Sequence, residues 1–173
     1  MAVSQFNLAQ YQRAERKLLL TVAEWTEGST QERELLGRRT EDSSIEYNAD
    51  QSTTTDILGI NYTDVNKTQP QQDFDPYLVL GGSKLGAKLN DIRRRNALSE
   101  LSQFTLYIIT AYVGNSTDGY QAEKHVNCTI QYNSLGGDSN VNMPISVYFS
   151  NDVTNGTVNK LTEDFVFTPD ATI

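Results

Sequence analysis

The tract from His125 to Phe149, HVNCTIQYNSLGGDSNVNMPISVYF, limits the possible folds more than any other part of the chain. Val126, Cys128, Ile130 and Tyr132 alternate with His125, Asn127, Thr129, Gln131 and Asn133, and then Val141, Met143, Ile145, Val147 and Phe149 alternate with mostly polar residues. A period of two places each apolar set on one side of a strand. Leu135-Gly136-Gly137-Asp138-Ser139 lies between the two runs and supplies residues that tolerate positive φ, as a hairpin connection requires. The tract is expected to form an antiparallel pair with one dry face and one polar face.

Further strands are expected at 17–25, 33–39, 43–48, 53–62 and 104–113, with short ones at 154–158 and 164–167. The run from Phe104 to Val113 is apolar at consecutive positions, so it should be central and covered on both faces. One helix interrupts this pattern. Ser83 follows Gly81-Gly82 as an N-cap, and Leu85, Leu89 and Ile92 fall on one helical face, leaving Lys84, Lys88 and Arg93 to Arg95 largely outside it. The class is therefore mainly β, a β-sandwich or barrel-like arrangement with one flanking α-helix. No internal repeat or second domain boundary is visible, so residues 1–173 read as one domain.

Two segments resist a strand reading. KTQPQQDFDPY, residues 67–77, holds Pro70 and Pro76, each lacking the amide that a ladder needs. It is expected to be an extended connector within a long loop spanning 64–82, anchored by Phe74 and Tyr77. At the start, residues 1–16 read as an arm, a helix or a strand, with Leu8 and Tyr11 at helical spacing. GSTQERE, residues 28–34, reads as a polar loop.

The lone cysteine, Cys128, excludes an intrachain disulfide. The start lacks a basic stretch followed by an apolar core, and no apolar run reaches the ~18 residues of a membrane span. The chain reads as a soluble protein folded in a cytoplasm, where its five Asn-x-Ser/Thr triplets (Asn61, Asn66, Asn115, Asn127, Asn155) are not glycan acceptors. The net charge of −8 argues against general nucleic-acid binding. Residues 83–97 alone carry +4, so the remainder carries −12.

Catalytic and metal-binding patterns were weighed against structural ones. His125 and Cys128 are an odd number of residues apart, which on a regular strand sends them to opposite faces, His125 to the polar one. Asp138, Asn140 and Asn142 open a calcium-loop pattern, but Met143 and Phe149 stand where its glycine and bidentate acid belong. LGGSKLG resembles a phosphate loop with the order of lysine and hydroxyl reversed, so helix entry explains it better. Asp73 and Asp75 flank Phe74 in an irregular segment without a companion histidine and read as solvated charges or loop anchors. No catalytic residue, cofactor or metal ligand is expected.

The run GRRTEDSSIEYNADQSTTTDILGINYTDVNKTQPQQDFDPY, followed in order by SKLGAKLNDI, FTLYIITAY and AEKHVNCTIQYNSLGGDSNVNMPISVYF, resembles the tail tube (major tail) proteins of tailed bacteriophages, particularly of phages infecting Gram-positive hosts. The likeness spans roughly residues 36–158. It implies a structural virion protein: six subunits close into a ring, and rings stack into a hollow tube conducting the genome into the host cell. Expected partners are copies of the chain, a tape-measure protein, and tail terminator and distal tail proteins. DNA would pass through without specific binding, and no membrane is involved. Under this resemblance the subunit interface includes Lys67, Gln69, Asp73, Phe74, Asp75 and Tyr77, with Phe74 docking on a neighbour and Asp73 or Asp75 meeting Arg93, Arg94 or Arg95. Glu46, Asp50, Thr54 and Asp56 would line the lumen, where negative charge keeps phosphates from being held. GSTQERE would touch the next ring. The rival reading is a β-sandwich binding module that does not polymerise, or an accessory virion protein, using tyrosines among Tyr47, Tyr62, Tyr107, Tyr120 and Tyr148.

Overall fold

The computed structural model describes residues 5–171. In chain order the elements are β1 (Leu19–Glu27), β2 (Thr30–Leu35), β3 (Ile45–Glu46), β4 (Asp50–Thr55), β5 (Asn61–Lys67), β6 (Gln71–Phe74), α1 (Lys84–Arg95), β7 (Phe104–Asn115), β8 (Gly119–Tyr132), β9 (Ile145–Tyr148), β10 (Val153–Val158) and β11 (Phe167–Pro169). The protein is mainly β, with antiparallel sheets and one α-helix, as its alternation predicts.

The main sheet runs β2-β1-β7-β8-β9-β6-β3, with β10 and β11 branching from β8; β4 and β5 form a separate two-stranded sheet. β7 is buried on both faces, which is why its sequence is apolar without alternation. Phe104, Leu106 and Ile108 point into a core beneath α1, where Trp25, Leu85, Leu89, Ile92 and Ile130 meet them. Tyr107 and Ile109 point the other way, into a smaller core closed by Val22, Ala122, Val158 and Phe165.

One extra residue in β8 bends the sheet. Phe104 pairs with Cys128 but Leu106 pairs with His125, so Val126 and Asn127 of β8 together oppose the single Thr105 of β7, and Asn127 has a left-handed φ of 56°. Opposite this bulge the neighbouring strand breaks: β9 pairs with 129–132 and β10 with 120–125, and Phe149 to Asp152 cross the gap. The bulge overturns the expected placement of His125. With alternation reset, His125 and Cys128 both point inward, exposed by only 4% and 1%.

Four other expectations are corrected. The stretch KTQPQQDFDPY is not an unpaired connector, and 64–82 is not one long loop. Lys67 ends β5, and Gln71 to Phe74 form β6, paired with β9 on one side and β3 on the other. The prolines bracket this strand instead of interrupting it. Gln72 and Phe74 face in, and the buried Gln72 amide oxygen accepts from Thr21 Oγ1 at 2.7 Å. Residues 53–62 are not one strand, because the chain reverses at Asp56–Ile60 to make the β4–β5 hairpin. GSTQERE is not a loop: the turn at Gly28 (φ 62°) leads directly into edge strand β2. The last strand also lies further on than 164–167, at Phe167–Pro169.

Of the N-terminal stretch, Met1 to Ser4 lie outside the described residues. Phe6 pairs with Val113 and packs edge-on against Tyr112, and Arg16–Leu18 form one 3-10 turn.

α1 begins as read from sequence. Ser83 Oγ accepts from Gly86 N at 3.1 Å, and Leu85, Leu89 and Ile92 are fully buried. Its charge is not a bare basic stripe, however. Lys84 pairs with Glu32, Lys88 with Glu27 and Glu100, and Arg95 with Asp91 and Glu100.

Candidate functional site

The β4–β5 hairpin stands apart from both cores. Nearly every residue from Ala49 to Gln69 is exposed, and the two strands pair with each other alone. The stem is short and polar. Thr53 and Thr63 hydroxyls lie 3.1 Å apart, and Thr55 Oγ1 donates to Asn61 Oδ1 at 2.6 Å. The end is built by Asp56, whose Oδ1 accepts from Leu58 N at 2.8 Å and Ile60 N at 2.9 Å while Tyr62 OH donates to Oδ2. These donors, the Ile60 amide foremost, hold the Asp56 carboxyl below the usual range. Gly59 supplies the left-handed turn position at φ 77°. This rigid turn presents Ile57 and Leu58 to solvent, 102% and 78% exposed, with Ile60 and Val65 behind them.

Of the residues expected at a lumen, Asp50 and Thr54 lie on β4 and Asp56 just beyond it, at the turn. Glu46, expected beside them, lies on β3 in the main sheet. Asp56 is committed to its turn, and Asp50 and Thr54 are exposed.

The expected interface residues divide. Lys67 sits opposite Asp50 at the hairpin base, and Gln69 N donates to Tyr47 O at 2.7 Å, tying that base together. Asp73 and Asp75 are exposed; Gln71 Nε2 donates to Asp73 and Asn142 Nδ2 to Asp75. Phe74 and Tyr77 are 1% and 5% exposed within the subunit's own core, so docking of Phe74 on a neighbour is corrected: its side chain is already packed. Arg95 is likewise engaged inside the chain, whereas Arg93 bonds only Asn90 and Arg94 is exposed.

Two clusters resemble chemical sites and serve the fold instead. At the bend, His125 Nδ1 lies 2.9 Å from the Ser150 carbonyl oxygen and Nε2 3.3 Å from Glu123. Ser150 Oγ donates to the Val126 carbonyl oxygen, so hydroxyl and imidazole do not meet as nucleophile and base. Burial pushes the Cys128 thiol up, away from the reactive thiolate. At the start of α1, the place where a phosphate loop would hold its anion is filled by Glu34. Its Oε2 accepts from Leu85 N at 2.8 Å, and its Oε1 accepts from Ser83 Oγ at 2.8 Å and Tyr77 OH at 3.1 Å. Burial and this carboxylate raise the Tyr77 phenol well above its ordinary value.

Sequence reasoning missed Ile57, Leu58 and Glu34. The apolar trio in Asp56-Ile57-Leu58-Gly59-Ile60 read as strand, although an Asp three residues before a Gly, set between polar runs, was the turn signal.

No protein-family model matches the chain, and no curated protein matches it. Three solved structures are similar over most of its length. They are the anti-feeding prophage cap (AFP tube terminating cap; TM-score 0.49, 14% identity, 91% of this chain and 99% of that one), the PVC sheath-tube complex of an extracellular contractile injection system in its extended state (0.47, 12%, 86% and 94%), and the AFP baseplate (0.46, 11%, 89% and 100%). These likenesses are too distant to assign this chain a role.

Proposed function

We propose that the protein is a structural subunit of a phage-type tail tube, its copies closing into hexameric rings that stack around a channel for the genome. The observation that carries the reading is the β4–β5 hairpin. A two-stranded hairpin alone in water is marginal, and here it presents Ile57 and Leu58 with nothing to cover them. Burying such a side chain contributes about 1.5–3 kcal/mol, so a partner surface is implied, and the sequence resemblance to tail tube proteins makes that partner another copy. The packing of His125, Cys128, Ser150 and Glu34 supports a structural role over an enzymatic one, since each potential reactive group is engaged in holding backbone.

Negative-stain microscopy of the concentrated protein tests this. Rings or tubes are the expected result, and a monodisperse monomer at every concentration and salt would overturn it.

A further inference from the structure

The hairpin leaves the main sheet at one end of β6, and a cleft opens at the other. Glu46 and Gln71 pair at the hairpin end. From there β6 runs roughly 10 Å to Phe74, and just past it Thr40 Oγ1 donates to the Pro76 carbonyl oxygen at 2.8 Å. Beyond that point lies a largely polar cleft of about 500 Å³ with Gly81 in its wall, in which Leu35, Leu78 and Leu80 form an apolar strip, Arg38 and Arg39 stand at the side, and the carboxylates are Glu34, already bonded to the start of α1, and Glu163. Both arginines are exposed, and neither has an ion-pair partner among the described residues. The hairpin carries the complementary character: apolar Ile57 and Leu58 at its end, and the acids Asp56 and Asp64 behind them.

We infer that this cleft is the receptor for the β4–β5 hairpin end of a second copy, with Ile57 and Leu58 against Leu78 and Leu80 and the hairpin carboxylates facing Arg38 and Arg39. Projection and receptor lie at opposite ends of one strand, so a subunit does not satisfy its own cleft by this route. A contact between unlike surfaces leaves a free hairpin on one partner and a free cleft on the other, and so repeats from copy to copy. The inference rests on the self-assembly reading above and adds to it a specific receiving surface and direction.

Cysteine trapping separates the two. Ile57→Cys and Gly81→Cys are made in separate chains of different tagged mass. Ile57 is fully exposed, a side chain at Gly81 meets no atom within 4 Å, and native Cys128 is buried. Mixed and mildly oxidised, they are expected to give a disulfide-linked dimer of one chain of each mass, at least tenfold above either same-mass dimer, and the double variant in one chain should give a ladder of oligomers. Arg38→Glu with Arg39→Glu should lower the mixed dimer by a similar factor without changing the circular dichroism spectrum. Only Ile57→Cys homodimers would overturn the inference, because hairpin ends would then meet each other. Tubes in the micrographs without the mixed disulfide would overturn the receptor and leave the tube reading standing. The mixed disulfide without rings or tubes would uphold the receptor and remove the tube reading.

Discussion

The hairpins β7–β8 and β4–β5 are both antiparallel and both rich in strand-forming residues, yet they carry opposite information. β7–β8 is packed on both faces, with Phe104, Leu106, Tyr107, Ile109, Ala122 and Ile130 at 1% exposure or less. β4–β5 buries none of its side chains, and its large apolar residues all lie toward solvent. Strand propensity alone does not distinguish them, because it reports fit to a pleated surface and not the presence of a core. Cross-strand apolar pairing does. The first hairpin stabilises the subunit, and the second is free to be used by something outside it.

A truncation to alanine in each hairpin should separate the two most widely. Leu106→Ala removes a fully buried side chain and is expected to lower unfolding free energy by about 3 kcal/mol, whereas Thr53→Ala in the bare hairpin should change it by less than ~0.5 kcal/mol; urea titration of both checks the contrast. Comparable losses at the two sites would mean that the hairpin is part of the folding unit. Next in size, Glu34→Ala leaves Leu85 N, Ser83 Oγ and Tyr77 OH without their shared acceptor and should cost about 2 kcal/mol, again by urea titration. Glu34→Gln should recover part of this, because an amide oxygen still accepts but its nitrogen does not.

Acid should then erode the ion pairs around α1 and ahead of the last strand. Arg95 and Lys88 hold the Glu100 carboxyl at about 2, below its ordinary 4.5, and Lys160 and Thr162 hold Asp164 at about 2, below 3.8. A depressed native value contributes stability that is fully present above the unfolded value and lost as pH falls through the native one. The urea midpoint should therefore be flat with respect to these two groups above about pH 4.5 and decline between there and pH 2. Asp164 is exposed and Glu100 only half-buried, so the decline should be small and should flatten in high salt. Smallest of all, Ile57→Ser with Leu58→Ser should move the urea midpoint by less than the equivalent of ~0.5 kcal/mol while abolishing self-association in sedimentation velocity. Unchanged association would sharpen the contrast in the other direction, by leaving the hairpin end without a partner.

The sequence was legible where one periodicity ran without interruption. The central β7, the β8–β9 pairing, the N-cap at Ser83 and the inward face of α1 all follow from spacing and end signals. Legibility failed where a single residue changes the local rule. Asn127 resets alternation, so His125 was assigned the wrong face. Asp56 and Gly59 turn an apparent strand into two. At β6, Pro70 and Pro76 stand at the strand's ends, where a missing amide breaks no ladder bond, so proline content alone gives no sign of the strand between them. The hairpin end was hardest to recognise, because exposure is a tertiary property and Ile57-Leu58 reads the same in a core as in water. The pairs that Lys84 and Lys88 make with β1 and β2 are similarly invisible, since Glu27 and Glu32 come from a distant part of the chain.

The bulge at Asn127 acts as a phase shifter within β8. The residues before it and after it are out of step by one, and that offset lets one strand feed two differently oriented stretches of sheet with apolar side chains inward in each. Closing the bulge without removing a residue would restore perfect alternation and, in doing so, turn either His125 or the Cys128–Ile130 set to the wrong side. Lineages of this fold should therefore lose the bulge only together with one residue between His125 and Cys128, so that the two side chains keep their shared face.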